Sequence, residues 1–301
     1  MECLHLVLMV AMMTVVVMYG EGDLKTGFCS SSCPKSESIV EKYFDKDPTL
    51  AAPLLRLHFH DWLRCIGSSS SERKAFPNLG LRGFQVIDDA KPQLEVACPG
   101  VVYPRTGCSL RFRFLPTGRR DGRVSLSSDA SNLPGPADSV AVQRQKFAAK
   151  GLDDHDLVAL VGAHTIGQTD CRFFRYQLYN FTITGSADPS MTQAFLQPLQ
   201  TLCPKAGDGS QRVALDKDSQ LKFDVSFFKN VRDGYGILES DQRLWGDAST
   251  RRVVENYAGN VRGLLGVRFN FEFPKAMIKM STIDVKTGLE GEIRKICSNF
   301  N

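Results

Sequence analysis

Arg56 and His60 stand four residues apart in the run Arg56-Leu57-His58-Phe59-His60-Asp61. On a helix that spacing puts both side chains on one face. A guanidinium beside a neutral imidazole suits one task well. The imidazole takes a proton from a bound peroxide and returns it to the departing oxygen, while the permanently charged guanidinium stabilises the negative charge that develops. Phe59 is placed to shield such a site. The plainer alternative is a surface arginine and a packed core histidine. His58 reads as structural. It lies two residues from His60 and so does not share its face, which argues against a zinc cluster of His58, His60 and Asp61.

A second candidate is His164 in Gly162-Ala163-His164-Thr165-Ile166-Gly167, directly after the apolar run Leu157-Val158-Ala159-Leu160-Val161. A histidine there is either packed or a ligand. The small neighbours Gly162 and Ala163 leave room for a flat cofactor close to the backbone, and neutral imidazole is a standard axial ligand of haem iron. Such a ligand needs a carboxylate on its other ring nitrogen, and Asp241 is a candidate. A third group is Asp216, Asp218, Ser219 and Asp224, hard oxygen donors within nine residues. Irregular spacing of this kind suits calcium, although the run lacks the glycine and closing glutamate of an EF-hand. The alternative is a solvated acidic loop.

These side chains must be positioned by helices. Apolar spacing predicts helices over 36–44, 51–63 and 83–96, the last closed by Cys98-Pro99-Gly100. Gly118 to Gly122 reads as a turn. Asp153-Asp154 caps a helix expected to run through His164. Further helices are expected over 173–179, 191–202, 224–232, 250–261 and 271–280. Strand patterns are few and no repeat appears, so the class is mainly α.

The chain has 301 residues, 43% hydrophobic, enough for one large domain or two that share a core. A net charge of +4 without blocks of like charge argues against nucleic-acid binding as the main function. Residues 4–19 are apolar but short for a bilayer, and Gly20-Glu21-Gly22 follows, so 1–22 reads as a secretory signal peptide. No later stretch reads as a membrane span. Removing Cys3 with the leader leaves eight of nine cysteines, a count that suggests disulfides in a secreted chain. Asn180-Phe181-Thr182 is a glycosylation sequon.

Taken together, the chain resembles the secreted plant haem peroxidases, the class III peroxidases, from about Gly27 to Cys297. The motifs that carry the resemblance are 54–61, Leu81-Arg82-Gly83-Phe84, Gly118-Arg119-Arg120-Asp121-Gly122, 156–167 and the end segments Met280-Ser281 and Gly291-Glu292-Ile293-Arg294. The resemblance implies a two-domain helical fold over 23–301, distal half about 23–145 and proximal half about 146–301, with haem b between the halves. It implies that Arg56 and His60 are the distal acid–base pair, with Asn78 holding His60. It makes His164 the axial ligand and Asp241 its partner, with Phe59 beside the haem and Pro134 where aromatic reductants dock. A proximal calcium would be held by Thr165, Asp216, Ser219, Asp224 and the Lys222 carbonyl, and Asp61 would serve a distal one. Cys33 would pair with Cys98, and Cys171 with Cys203. The implied reaction reduces hydrogen peroxide and oxidises phenolic donors one electron at a time, in a secreted monomer with no nucleic-acid or membrane partner.

Two shortened segments depart from that pattern. At 62–67 the family's first loop cysteine and second calcium aspartate are missing, which predicts a weak or absent distal ion. At 103–114, Pro104, Gly107 and two arginines replace a long alanine-rich core helix, and Cys297 loses its usual partner, with Cys108 as a candidate substitute. Both segments resume in register, as altered splicing, a faulty gene model or a decaying gene copy would produce. The competing reading is an inactive secreted protein of the same ancestry.

Overall fold

The computed structural model describes residues 25–26, 32–61, 75–102, 116–117, 119–123, 126–259 and 265–295. Residues 1–22, read above as a leader, both shortened segments, and Cys29, Cys65, Cys108 and Cys297 lie outside these residues, as does the Asp61 side chain.

Eleven helices are described: α1 (Ser36–Lys46), α2 (Ala51–Asp61), α3 (Phe84–Ala97), α4 (Val140–Ala148), α5 (Asp154–Val161), α6 (Arg175–Tyr179), α7 (Gln193–Leu202), α8 (Ser226–Arg232), α9 (Glu239–Arg243), α10 (Ala248–Ala258) and α11 (Leu265–Ser281). Two small antiparallel pairs join β1 (Lys25–Thr26) to β2 (Pro116–Thr117), and β3 (Gln168–Asp170) to β4 (Arg212–Ala214), with Thr169 opposite Val213. The class is mainly α, as expected.

Local chemistry accounts for the helix starts. Asp47 accepts from the Thr49 amide and opens the 3-10 turn Pro48–Leu50 ahead of α2. Asp153 and Asp156 form a capping box on α5, and Asp247 accepts from the amides of Ser249 and Thr250 to start α10. Gly83 has φ +92° before α3, where a Cβ would also crowd Leu54 at 3.2 Å.

Packing groups these helices into distinct cores. The largest joins α4, α5, α8, α10 and α11 through residues such as Phe147, Leu157, Phe228, Val254, Phe269 and Met280. The Leu157–Leu160 stretch of α5 is buried on every side because it lies inside this group, while its first turn, Asp154–Asp156, reaches the surface. A second core surrounds the Cys171–Cys203 disulfide, with Phe174, Leu178 and Leu199. A third joins α1 to α3 around the Cys33–Cys98 disulfide, and α2 packs on α3 through Leu54, Leu57 and Val86. Each bridge is worth about 2–4 kcal/mol in a chain of this kind.

Several expectations need correction. The helix that begins at Asp154 stops at Val161, and His164 sits on the 3-10 turn Gly162–Thr165. Gly162 does not leave room for a cofactor: a Cβ there would lie 2.5 Å from Phe228 and 2.6 Å from Phe269, so this glycine permits close core packing. Residues 120–121 are not a turn but form bridges to the chain end, Arg120 with Lys286 and Asp121 with Glu292. α11 begins six residues before the expected start at 271 and carries Pro274 within it, its buried face supplied by Phe269, Phe273 and Met277. The short helix α9 and the helix α4 carry no strong periodic signal in the sequence.

Candidate active site

A cavity of about 530 Å³ opens between α2 and the 3-10 turn Phe76–Asn78 on one side and α5, the 3-10 turn Gly162–Thr165 and α9 on the other. Arg56, Phe59, His60, Pro134, His164 and Asp241 all line it. This volume lies in the range of small-molecule and cofactor sites.

On one wall α2 delivers Arg56 and His60 from consecutive turns. The Arg56 Nε–H points at His60 Nε2 at 3.4 Å, and its Nη2 donates to the Pro77 carbonyl at 3.2 Å. The His60 Nδ1–H donates to Asn78 Oδ1 at 2.6 Å. That bond fixes the tautomer and leaves Nε2 as a bare acceptor. Burial pushes the His60 pKa down to about 3, Arg56 adds to the shift, and the Asn78 bond opposes it. His60 is therefore neutral at any ordinary pH. Phe59 packs edge-on to His60, ring centroids 5.9 Å apart. Arg56 keeps its charge although burial lowers its pKa, with nearby Asp170 acting the other way.

On the opposite wall the His164 Nδ1–H donates to Asp241 Oδ2 at 2.9 Å. The Asp241 side chain is 2% exposed and that of His164 34%. Among the described residues His164 Nε2 has no hydrogen-bond partner, and the ring lines the cavity. A cavity-facing imidazole nitrogen without a partner, backed by a buried carboxylate, is what an axial ligand requires. The donor set and volume thus fit haem. Pro134 also lines the cavity, and the Pro136 carbonyl ties α9 in place by accepting from the Ser240 amide at 2.9 Å.

Below the His164 turn, Thr165, Asp216, Asp224 and the Lys222 carbonyl come together. Thr165 Oγ1 donates to Asp216 Oδ2 at 3.3 Å and lies 3.4 Å from the Lys222 oxygen, and it accepts from the Asp224 amide at 3.4 Å. Asp216 is fully buried, and burial raises its pKa against several hydrogen bonds. Ser219 makes a different contact: its hydroxyl accepts from the Lys222 amide at 2.9 Å. Asn230 and Ser226, which the sequence pattern does not single out, also bond Asp216. Among the described residues no three His, Cys, Asp or Glu side chains converge as a metal site. A cation here would depend on hydroxyl and carbonyl oxygens as well as carboxylates, which is calcium chemistry.

His58 is 2% exposed, does not line the cavity, and has neither ring nitrogen hydrogen-bonded. Asn180 is exposed at the end of α6. Sequence reasoning missed Arg82 and Arg212, which line the cavity. Arg212 lies opposite Asp170 in the β3–β4 pair, a contact that only strand register reveals.

The peroxidase family profile matches residues 36–103 and 106–260. The chain belongs to the peroxidase family. It is 61% identical to Peroxidase 25 of Arabidopsis thaliana over 92% of each chain, and 49% identical to Peroxidase N1 of Nicotiana tabacum over 99% of this chain and 96% of the other. Peroxidase 71 of Arabidopsis thaliana is 48% identical over 92% and 89%. These relatives are plant class III peroxidases, and the chain is an oxidoreductase of that kind, consuming hydrogen peroxide. The family in general binds haem and calcium. The alignment to Peroxidase N1 runs over 320 positions, more than the 301 residues of this chain, so gaps fall within this chain. The profile match breaks at 104–105, inside the second shortened segment. An inactive protein is not the favoured reading. No described helix is long and apolar enough to cross a membrane.

Proposed function

We propose that the cavity holds haem b between the halves 23–145 and 146–301, that His164 Nε2 would hold its iron, and that phenolic compounds are the reductants. The observation that carries this reading is the placement of Arg56, His60 and His164 in one cavity, with Asn78 and Asp241 each fixing a histidine tautomer. Bound haem supplies the capacity to take two oxidising equivalents from peroxide. The chain's own residues do the rest. His60 Nε2 accepts the proton of hydrogen peroxide and passes it to the far oxygen, which leaves as water. Arg56 stabilises the negative charge on that oxygen as it departs. Asp241 orients His164 and increases its basicity. Phenolic donors meet the chain at Pro134 and give up one electron each.

Thr165, Asp216, Ser219, Asp224 and the Lys222 carbonyl form the proximal calcium site in this reading, directly under the turn that carries His164. Asp61 alone leaves the distal calcium weak or absent. The leader over 1–22 and the exposed Asn180 sequon support a secreted, glycosylated monomer outside the cell or in its wall. The test is the absorption spectrum of the purified holoenzyme. A histidine-ligated haem spectrum that shifts with one equivalent of peroxide and returns on adding a phenol is expected, and His164→Ala should abolish it. An unchanged spectrum in His164→Ala would overturn the assignment.

A further inference from the structure

Behind His164 a line of rings leads away from the cavity. The His164 and Phe227 centroids are 6.0 Å apart, Phe227 and Phe228 5.3 Å, and Phe228 and Tyr257 4.8 Å. Phe227, Phe228 and Tyr257 are all fully buried in the main core. Tyr257 is the oxidisable member of the line, because a phenol yields an electron far more readily than a phenyl ring. Its hydroxyl donates a hydrogen bond to Glu272, whose other oxygen accepts from Arg268 Nε at 2.8 Å. Burial and then the Glu272 bond push the Tyr257 pKa upward, so the phenol stays protonated. Burial works to raise Glu272, but Tyr257 and Arg268 together hold it below the usual carboxylate range. An ionised proton acceptor therefore waits on the phenol.

We propose that Tyr257 is an internal one-electron donor that drains oxidising equivalents from the cavity when no reductant is bound. The proposal rests on the haem reading above. In the step, the Tyr257 O–H bond breaks. The electron passes by way of Phe228, Phe227 and His164 to the peroxide-oxidised group in the cavity, and the proton goes to Glu272. The products are a neutral phenoxyl radical and a protonated Glu272. An external phenol later returns one electron, and the proton goes back from Glu272. The drain protects Met277, a buried thioether that lines the cavity and that stray oxidation would convert to a sulfoxide.

A second tyrosine–carboxylate pair serves as an internal control. The Tyr176 hydroxyl donates to Glu239, but the ring of Tyr176 stacks on Phe181 at 6.4 Å and has no ring contact toward His164 among the described residues. The experiment treats holoenzyme with one equivalent of peroxide without reductant, freezes it within milliseconds, and records optical and electron paramagnetic resonance spectra of the same sample. A tyrosyl signal is expected in the unaltered enzyme and in Tyr176→Phe, several-fold weaker in Glu272→Gln, and lost in Tyr257→Phe. Met277 sulfoxide, read by mass spectrometry, should rise several-fold in Tyr257→Phe. A signal that survives in Tyr257→Phe, disappears in Tyr176→Phe, or is absent while the optical spectrum responds to peroxide overturns the proposal. An optical spectrum that does not respond to peroxide overturns the haem reading itself.

Discussion

On one wall of the cavity Arg56 and His60 come from consecutive turns of α2. On the other, His164 sits on a 3-10 turn and takes its carboxylate from Asp241, 77 residues further along the chain. The first wall is local: one helix sets the spacing, and the 3-10 turn Phe76–Asn78 adds the Pro77 carbonyl for Arg56 and Asn78, 18 residues from His60. The second wall is assembled by tertiary packing, since α9 must dock beneath the turn before Asp241 can reach the ring. The electrostatics differ as well. His60 is buried among an arginine and an amide and is held neutral. His164 faces a buried carboxylate, which favours charge donation toward whatever Nε2 meets. One histidine is arranged to carry a proton, the other to hold a ligand in place.

This contrast can be broken on either side. The largest effect is expected from His60→Leu. Removing the base should lower kcat/KM for peroxide by about 10²- to 10⁴-fold while the haem spectrum stays that of a histidine-ligated protein. Retention of fast peroxide reduction would show that His60 is only packed. The unaltered enzyme should also keep its rate of reaction with peroxide as pH falls from neutral, losing it only toward about 3, where His60 takes up a proton. A rate that halves near the ordinary histidine value would mean that His60 is more solvated than its burial indicates.

Next in size is Asp241→Asn. The ring of His164 loses its ionised partner, and changes to such a supporting group typically cost about 10- to 100-fold in affinity or activity. The expected result is faster haem loss to an acceptor protein, together with a shifted reduction potential. His60→Leu should show neither change. If both substitutions impaired haem retention equally, the division of labour between the walls would fail.

The same contrast explains what can be read from the sequence. The i,i+4 spacing of Arg56 and His60 states their shared face outright, and Asp47-Pro48 marks where the helix that carries them begins. Asp241 is no more than a candidate in sequence, because no local pattern links residues 77 apart. The end of α5 at Val161 is hidden because Gly162 and Ala163 continue an apolar, helix-compatible run. What the glycine does there is let Phe228 and Phe269, remote in sequence, pack against the backbone, since a Cβ would lie 2.5 Å and 2.6 Å from their rings. Arg212 enters the cavity through a strand register too short to leave an alternating pattern. Phe227, Phe228 and Tyr257 look like ordinary core residues in sequence, and only their ring contacts give them an order.

The smallest predicted effect concerns His58, two residues from His60 and outside the cavity. Burial first, then Arg119, push its pKa down to about 3 from an ordinary 6.5. The folded state therefore binds a proton at His58 only near pH 3, whereas the unfolded chain binds it near 6.5. A depressed histidine pKa contributes nothing above about 6.5, where both states are neutral, and costs stability progressively as pH falls from 6.5 toward 3, because the unfolded state takes up the proton first. Replacing His58 by leucine removes this one-proton term along with a buried ring that lacks hydrogen bonds. At pH 7 the change should be within about 1 kcal/mol of neutral, because no partner is left unsatisfied. Below pH 6.5 the variant should lose stability less steeply than the parent, by the slope of one proton. Urea midpoints measured at about pH 7 and about pH 4.5, on either side of the ordinary histidine value, test this. His60 contributes a similar acid term, so the parent slope should fall but not vanish in His58→Leu. An unchanged slope would mean that His58 titrates alike in both states, and that acid sensitivity belongs to the cavity wall alone.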